Sequence, residues 1–471
     1  MILVSPTVRT SDSIRLTRQG FFMTLKVIRS YCQILLGGDN VSKKYYLVGI
    51  KGAGMSALAN VLFDMGHAVT GSDIKEMLFT QVELEAKGIV LHEFGVNQIE
   101  SDMDVIVGNA FKDDHIDVVT AKTVGARVVR YHAFLGELAT NFTSIAVAGT
   151  HGKTTTTGLL SHVLRLVEPT SYLIGDGTGK GVEGSKYFAF EACEYRRHFL
   201  SYYPDYLIIT NIEHDHPDYF KDIDDVVEAF QSFANRCQNK VIMWGDCPNT
   251  QKLSLDNCLK YGYTDHNDVV ARNIIKDSEG TTFDVLVNGV YYYTFKTPFF
   301  GDHMVLNSLA VITVCYLEGM NPKVVAMDLA LFMGVKRRFS ERQLDEGQTI
   351  IDDYAHHPTE IEVTLKAARQ KYPTRSLVAI FQPHTFSRTT IFAKEFAEAL
   401  KLADHVYLTE IFGSARETKS DIDISLILDD NKDFKLLTFE ALETLKQYQN
   451  GVLVFMGAGD IEKYEHAYIN L

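Results

Sequence analysis

The sequence GTHGKTT at Gly149–Thr155 indicates the fold of the chain more clearly than any other segment. The apolar run TSIAVA at Thr143–Ala148 precedes it and has the character of a buried strand. After it, leucine and valine recur at helical spacing between Leu159 and Leu164. A glycine-rich turn between a strand and a helix points backbone N–H groups inward, and the helix N-terminus adds partial positive charge. We therefore predict a phosphate-binding loop that holds ATP.

Two side chains of this loop are suited to particular tasks. Lys153 is predicted to reach the terminal phosphates of ATP, and the Thr154 hydroxyl to bind Mg²⁺. A chance Gly-Lys-Thr sequence in an ordinary loop is the alternative, but it does not explain the strand before the motif or the amphipathic helix after it. The remaining question is what reaction the ATP drives.

The composition excludes several classes of protein. The 471 residues are enough for about three domains. The net charge of −14 argues against a nucleic-acid partner. No apolar run approaches the roughly 18 residues of a membrane span, so membrane insertion is not expected. The six cysteines show no C-x-x-C spacing, which argues against zinc or disulfide frameworks and favours the cytoplasm.

The N-terminal residues 1–41 are predicted to be an extension outside the domains. They contain basic residues and a short apolar stretch at 27–36, without the cleavage site of a signal peptide. One hypothesis is that residues 1–40 result from a mis-assigned start and that the natural chain begins at Val41. A genuine disordered arm is the alternative. Peptides from residues 1–40 in a mass spectrum of the native protein would exclude the first hypothesis.

Three α/β blocks follow, with predicted boundaries at 42–142, 143–339 and 340–471. The first opens with the strand Tyr45–Val48, the glycine-rich turn GIKGAG at 49–54 and the helix Met55–Met65. Asp73 stands about 20 residues after the turn, which is typical of a nucleotide site with a pyrophosphate at the helix N-terminus and an acid near the ribose. Alternating strands and helices predict mostly parallel, doubly wound sheets.

Acidic and histidine-rich segments follow two apolar strands of the second block. The segment EACEYRRH at 191–198 follows the strand Tyr187–Phe190, and NIEHDHPD at 211–218 follows the strand Tyr206–Thr210. Ligands of such sheets bind at the carboxyl ends of the strands, so Glu191 and His216 are candidates for a divalent-ion site with phosphate oxygens. The alternative is a pair of solvated polar loops.

Further polar clusters lie in the second and third blocks. The basic run GVKRRF at 334–339 is either a solvated patch or a phosphate contact. In the third block, DDYAHHP at 352–358 and QPHTFSR at 382–388 each follow a predicted strand and begin a helix. His303 and Asn307, taken alone, are predicted to be a helix cap and a surface amide.

Taken together, these motifs resemble the Mur ligases, in order and over about residues 42–469. The segments at 193–200 and 352–360 are similar to those of the Firmicute-like branch that adds L-alanine. The resemblance implies Rossmann-like N- and C-terminal domains around a central P-loop ATPase-type domain. It also implies a reaction in which ATP phosphorylates the carboxylate of UDP-N-acetylmuramate and the amine of L-alanine attacks the acyl phosphate. A monomer or weak homodimer and closure of the domains on one another are expected.

The resemblance assigns roles to individual residues. Those implied to hold ATP are Gly149, Thr150, His151, Gly152, Lys153, Thr154, Thr155, His303, Asn307, Arg338 and Asp353. Those implied to coordinate Mg²⁺ are Thr154, Glu191 and His216. Those implied to bind the UDP group are Gly52, Gly54, Met55, Ser56 and Asp73. The catalytic group, around the muramoyl carboxylate and the alanine, is implied to comprise Lys153, Glu194, Arg197, His357, His384 and Arg388.

Three departures and three alternatives accompany this interpretation. Met304 stands where the family often has asparagine, and Cys193 replaces a residue that is commonly acidic or polar. Near His216, no lysine stands in the place where some Mur ligases carry a carbamylated lysine, as in the alanine-adding branch. Within the family, the alternative is a recycling ligase that joins the same nucleotide sugar to a preformed tripeptide. From other classes, the alternatives are a nicotinamide-dependent oxidoreductase and a nucleotide-dependent binding protein without chemistry.

Overall fold

The computed structural model describes residues 42–96, 98–344, 347–413, 422–429 and 431–471. The predicted extension at 1–41 lies outside the described residues. From Lys44 onward, three sheets with flanking helices form one compact unit. Most neighbouring strands are parallel, which confirms the predicted fold class. We call the parts built on the three sheets the N-terminal, central and C-terminal domains.

The N-terminal domain is a five-stranded parallel sheet. Its strands are β1 (Lys44–Val48), β2 (Ala68–Asp73), β3 (Val90–Glu93), β4 (Met103–Val107) and β5 (Arg127–Arg130). Its helices are α1 (Ala53–Asp64), α2 (Gln81–Ala86), α3 (Ile116–Val124) and α4 (Tyr131–Ala139). The strand order is β3-β2-β1-β4-β5. Successive strands are added on one side of β1 up to β3 and on the other side from β4 onward, so the strand order reverses between β1 and β4. The glycine-rich turn after β1 therefore lies at the crevice where ligands of such sheets bind.

The central domain contains a ten-stranded sheet. Its strands are β6 (Thr143–Ala148), β7 (Thr170–Leu173), β8 (Gly179–Lys180), β9 (Tyr187–Glu191), β10 (Tyr206–Ile209), β11 (Lys240–Trp244), β12 (Cys258–Gly262), β13 (Val269–Asp277), β14 (Gly280–Val287) and β15 (Val290–Thr297). Its α-helices are α5 (Lys153–Val167), α6 (Ile223–Ala234), α7 (Asp302–Leu317) and α8 (Pro322–Ala330), with 3-10 turns at Tyr195–Ser201 and Thr250–Lys252. The strand order is β15-β14-β13-β12-β11-β10-β6-β9-β7-β8. Because β9 and β10 flank β6, the two acidic segments predicted at strand ends both lie beside the phosphate-binding loop.

The C-terminal domain contains a six-stranded sheet. Its strands are β16 (Ser340–Gln343), β17 (Thr349–Asp353), β18 (Leu377–Phe381), β19 (His405–Leu408), β20 (Lys435–Leu436) and β21 (Val452–Met456), in the order β16-β17-β21-β18-β19-β20. Its helices are α9 (Pro358–Lys371), α10 (Phe386–Leu400), α11 (Ser425–Leu428) and α12 (Ile461–Ile469), with a 3-10 segment at Phe439–Gln447. The two predicted histidine-bearing segments follow β17 and β18, which β21 separates.

The N-terminal and central domains share a hydrophobic core. Glycines of the central domain allow α1 to pack directly on the edge strand β8. A Cβ added at Gly179 would lie 2.0 Å from the backbone oxygen of Ala57, and one at Gly181 would lie 2.3 Å from that of Val61. A side chain at either glycine would push the two domains apart. Within the described residues, no helix has the length and apolarity that a bilayer crossing requires.

Candidate active site

The predicted phosphate-binding loop joins β6 to α5 at the carboxyl edge of the central sheet. Gly149 has a φ of +141°, and a Cβ added there would lie 1.9 Å from the Thr210 hydroxyl oxygen. Gly152 has a φ of +81° and immediately precedes Lys153, the first residue of the helix. Only glycine adopts this path without strain or collision. The strand, turn and helix predicted around the motif are confirmed.

The ammonium group of Lys153 is held inside this loop. Its Nζ donates hydrogen bonds to the backbone oxygens of Gly149, at 2.6 Å, and Thr150, at 2.9 Å. It also lies 3.0 Å from the carboxylate of Glu194. Burial alone lowers the pKa of Lys153, but the Glu194 carboxylate outweighs burial and holds the pKa above its usual range. The lysine is therefore a buried, fully charged group at the position suited to terminal phosphates.

Thr154 and Glu191 form a pair of oxygen donors beside the lysine. The Thr154 hydroxyl donates a hydrogen bond of 2.8 Å to Oε2 of Glu191, which ends the neighbouring strand β9. Gly175 leaves room for this carboxylate, since a Cβ there would lie 2.2 Å from the same oxygen. Burial raises the pKa of Glu191. A hydroxyl and a carboxylate are hard oxygen ligands, so this pair fits the Mg²⁺ ion predicted from the sequence.

His216 lies in the turn after β10 and reaches the site through Glu194. Its Nε2 is 3.6 Å from Oε1 of Glu194 and 3.8 Å from Oδ2 of Asp215. Its backbone is left-handed, with a φ of +54°, and its ring lies against that of Tyr195 at 4.8 Å between centroids. Glu191, which was predicted to share a metal ion with His216, contacts Thr154, whereas His216 contacts Glu194.

Asp215 connects this turn to the C-terminal domain. Arg388, on α10, donates hydrogen bonds from Nη2 and Nε to Oδ1 of Asp215 at 2.9 and 3.2 Å. Only 6% of Asp215 and 5% of Arg388 is exposed. Burial alone raises the pKa of Asp215, but the guanidinium holds that pKa well below its usual range. The two domains are thus joined by a buried ion pair.

His384 lies beside Arg388, with Nδ1 3.5 Å from Nη1 of the arginine. Its ring stacks on Phe412 at 5.9 Å and meets the edge of His356 at 6.3 Å. His357 caps α9 by accepting a hydrogen bond from the backbone N–H of Thr359 at 3.3 Å. The two histidine-bearing segments therefore lie next to each other, in contact through His356 and His384.

His303 and Asn307 lie on α7, which begins at Asp302. Both line a cavity of about 360 Å³ between the central and C-terminal domains, together with Trp244. The amide oxygen of Asn307 lies 3.1 Å from the position that a Cβ on Gly152 would occupy. Asn307 is buried, so the interpretation as a surface amide is wrong. Burial lowers the pKa of His303 to about 4, which leaves its imidazole neutral at physiological pH.

Arg338 and Asp353 also line this cavity. The guanidinium of Arg338 lies over the ring of Tyr354 at 5.2 Å and contacts Glu360 at 3.4 Å. Asp353 accepts hydrogen bonds of 2.8 Å from the backbone N–H groups of Phe339 and Ala355. Burial raises the pKa of Asp353 to about 6. Arg338 thus remains a cation at the domain junction, while Asp353 fixes the backbone there.

In the N-terminal domain, Asp73 closes the glycine-rich turn by accepting a hydrogen bond of 2.7 Å from the backbone N–H of Lys51. Tyr131 packs closely on Gly54, because a Cβ there would lie 2.8 Å from the tyrosine hydroxyl. Gly52 accepts the backbone N–H of Ser56 at 2.8 Å, in the first turn of α1. Met55 is buried in the same turn. The five predicted residues therefore form one turn, separate from the phosphate-binding loop in sequence and sheet.

Arg197 is the predicted site residue that the structure directs elsewhere. Its Nη2 donates to Asp225 at 2.7 Å and to Glu228 at 2.9 Å, both on α6. Arg196 and Arg197 are both left-handed, with φ of +52° and +56°, and this backbone shape turns the chain after Glu194. Local sequence gives no sign of that turn.

Several polar residues that complete the site had no role predicted from the sequence. They are Glu213, Asp215, Thr359 and Glu360. All four lie in the segments 211–218 and 352–360, on which the family resemblance rests. Their position in these segments was the signal by which they could have been found. Each of them has at least one partner in another domain, and those contacts could not be read from local sequence.

A lysine-bearing phosphate-binding loop, a second glycine-rich turn in the N-terminal domain and a cavity between the central and C-terminal domains are the features of a three-domain nucleotide-binding protein. Three family models match the chain: "Mur ligase family, catalytic domain" at residues 44–143, "Mur ligase middle domain" at 147–315, and "Mur ligase, glutamate ligase domain" at 337–459. The chain belongs to the Mur ligase family of ATP-dependent ligases, which make peptidoglycan precursors.

Solved structures of this family are similar over most of the chain. The UDP-N-acetylmuramate-alanine ligase MurC of Thermotoga maritima is 29% identical, with a TM-score of 0.77, over 91% of this chain and 98% of that one. A murein peptide ligase of Psychrobacter arcticus is 25% identical, with a TM-score of 0.65, over 91% and 99%. The MurF ligase of Thermotoga maritima, solved with ADP, shares the fold at 17% identity and a TM-score of 0.61, over 92% and 98%.

Proposed function

We propose that the protein is a UDP-N-acetylmuramate–L-alanine ligase, which joins L-alanine to the carboxylate of the nucleotide sugar and releases ADP and phosphate. The observation that carries this proposal is a series of contacts across the domain junction. Lys153 lies 3.0 Å from Glu194, and Glu194 lies 3.6 Å from His216. The neighbouring Asp215 is bonded to Arg388. These contacts connect Lys153, which is suited to bind the terminal phosphate of ATP, with Arg388, which is suited to bind the acceptor carboxylate.

The proposed chemistry has two steps. A muramoyl carboxylate oxygen attacks the γ-phosphorus of ATP, and the bond to ADP breaks. The neutral amine of alanine then attacks the acyl carbon, the bond from that carbon to the shared oxygen breaks so that phosphate leaves with this oxygen, and the nitrogen loses one proton to water. A carboxylate is a poor electrophile until it is phosphorylated, and the transferring phosphoryl group is negatively charged. Lys153 and Arg338 are the cations that we propose to stabilise that charge.

Thr154, Glu191 and His216 would hold Mg²⁺, which when bound neutralises charge on the phosphate oxygens. The fit rests on the Thr154–Glu191 pair, whose oxygens are 2.8 Å apart. His303, Asn307 and Trp244 line the cavity in which the adenine is proposed to bind. The turn closed by Asp73 is proposed to take the UDP group, as in other sites at a switch of strand order.

Two observations favour alanine over the tripeptide of the recycling ligases. The identity and TM-score are higher with the alanine ligase than with the murein peptide ligase. The ring of His384, beside Arg388, also contacts the rings of His356 and Phe412, and we propose that this cluster faces a small acceptor. Membership of a ligase family favours this reaction over the nicotinamide oxidoreductase considered from the sequence.

The test is ATP-dependent phosphate release with UDP-N-acetylmuramate and, separately, L-alanine, glycine, L-serine or a preformed tripeptide. We expect L-alanine to give the highest kcat/KM, about tenfold or more above glycine, because one buried methyl group discriminates by about that amount. A preference for the tripeptide would assign the protein to the recycling reaction. Release that does not depend on any amine would overturn both assignments.

A further inference from the structure

The imidazole of His151, in the phosphate-binding loop, lies between carboxylates of two domains. Its Nε2 is 3.4 Å from Glu213 of the central domain, and its Nδ1 is 3.4 Å from Glu360 of the C-terminal domain. Its side chain is only 10% exposed. A ring with one carboxylate at each nitrogen is arranged as an imidazolium, because both nitrogens must carry a proton to serve both acceptors.

The two carboxylates are themselves fixed by the C-terminal domain. Thr359 donates a hydrogen bond of 2.8 Å to Glu213, across the domain junction. Glu360 contacts Arg338 at 3.4 Å and His356 at 3.1 Å. The ring of His357 lies 4.6 Å from that of His151. His151 is therefore the member of the phosphate-binding loop that contacts the first turn of α9.

We propose that the His151 imidazolium is a positioning group that joins the phosphate-binding loop to α9 and thereby couples nucleotide binding to closure of the C-terminal domain. This inference rests on the proposed function only in requiring that ATP occupies the cavity lined by His151. When this bridge between His151 and Glu360 forms, the phosphate-binding loop and α9 are fixed relative to each other. When it is absent, the nucleotide must order the domain junction by itself, and its apparent affinity falls.

The charge states around His151 make the bridge sensitive to pH. Burial alone lowers the pKa of His151, but Glu213 and Glu360 outweigh burial and raise that pKa to about 9. The facing acids Glu213, Glu360 and Asp215 have lowered pKa values and stay ionised. Burial lowers the pKa of His357 to about 4 and that of His356 to about 3, so both are neutral. The nearby cations Arg338 and Lys153 have raised pKa values.

Among these groups, only His151 titrates between pH 6.5 and 9. Its contribution to closure is complete below its ordinary pKa, near 6.5, and is lost as the pH rises through about 9. Nucleotide affinity should therefore fall across this window.

The experiment measures binding of a non-hydrolysable ATP analogue to the full-length protein at pH 7.0 and pH 9.5, by isothermal titration calorimetry. We expect wild-type affinity to fall about tenfold or more between the two values. His151→Gln, which cannot carry the charge, should bind weakly at pH 7.0 and show little further change. His405→Gln, an exposed histidine of the C-terminal domain, is the matched control and should keep the wild-type profile.

A double-mutant cycle with Glu360→Gln tests the partner. The two substitutions should be non-additive, because either one breaks the same bridge. Glu362→Gln, an exposed acid on α9 paired with Lys366, is the control and should be additive with His151→Gln. A pH-independent wild-type affinity, or additive effects of His151→Gln and Glu360→Gln, would overturn the proposal while leaving the ligase assignment intact. If the wild-type protein bound no nucleotide, both the bridge proposal and the ligase assignment would fail. The pH profile of the wild-type protein decides the bridge proposal even if a variant does not fold.

Discussion

Arg388 of the C-terminal domain donates two hydrogen bonds to a single carboxylate oxygen of Asp215 in the central domain, at 2.9 and 3.2 Å. The two residues are 173 positions apart and both are buried. A charge pair removed from water in this way favours assembly only while both partners are present. The pair therefore links the C-terminal domain to the turn after β10 of the central domain.

Removal of one partner should be costly. Arg388→Ala leaves Asp215 as an unpaired buried charge and should lower the free energy of unfolding by about 3 kcal/mol, with loss of ligase activity. Chemical denaturation with a parallel activity assay measures both. Arg369→Ala is the control, since its partner Asp404 is partly exposed, and it should cost under about 1 kcal/mol. An equal decrease in the free energy of unfolding for the two variants would show that the buried pair contributes no more to stability than the exposed one.

Lys153→Ala should reduce alanine-dependent phosphate release by about a hundredfold or more, because it removes the cation nearest the expected phosphates. Lys153→Arg should not restore the rate, since the guanidinium cannot make the short contacts with the Gly149 and Thr150 oxygens. Lys366→Ala, at an exposed lysine of α9, serves as the matched control. Full phosphate release by the Lys153→Ala protein would contradict the proposed role.

Gly149→Ala tests the shape of the loop. The new methyl group would lie 1.9 Å from the Thr210 hydroxyl, on a backbone with φ of +141°. We expect a loss of about 2 kcal/mol or more in stability, together with loss of nucleotide binding. Gly88→Ala separates the two causes, because that position also has a positive φ, +76°, but open space around it. It should cost only about 1 kcal/mol and leave nucleotide binding unchanged.

Trp244 should report nucleotide binding, because it is the one tryptophan of the 471-residue chain and lines the cavity. Within the described residues, its indole N–H has no hydrogen-bond partner. A nucleotide that contacts the ring should change the fluorescence in a saturable manner. The Trp244→Phe protein, titrated in the same way, should show no tryptophan signal. An unchanged wild-type spectrum at saturating ATP would place the nucleotide elsewhere.

Sequence reasoning found the elements that depend on local pattern. The strand before Gly149, the helix from Lys153 and the acidic ends of β9 and β10 were predicted because apolar periodicity and glycine positions are local properties. The Arg388–Asp215 and His151–Glu360 contacts were not, because they depend on how distant domains meet. Arg197 was assigned to the substrate through the resemblance, yet its left-handed backbone directs it to Asp225 and Glu228.

The most direct test of the acyl-phosphate reaction is isotope transfer. UDP-N-acetylmuramate labelled with ¹⁸O in the muramoyl carboxylate is incubated with ATP and L-alanine, and the released phosphate is analysed by mass spectrometry. If a carboxylate oxygen attacks the γ-phosphorus and leaves with the phosphate, each phosphate carries one labelled oxygen, and UDP-N-acetylmuramoyl-L-alanine forms in equal amount. Unlabelled phosphate released alongside that product would contradict the mechanism.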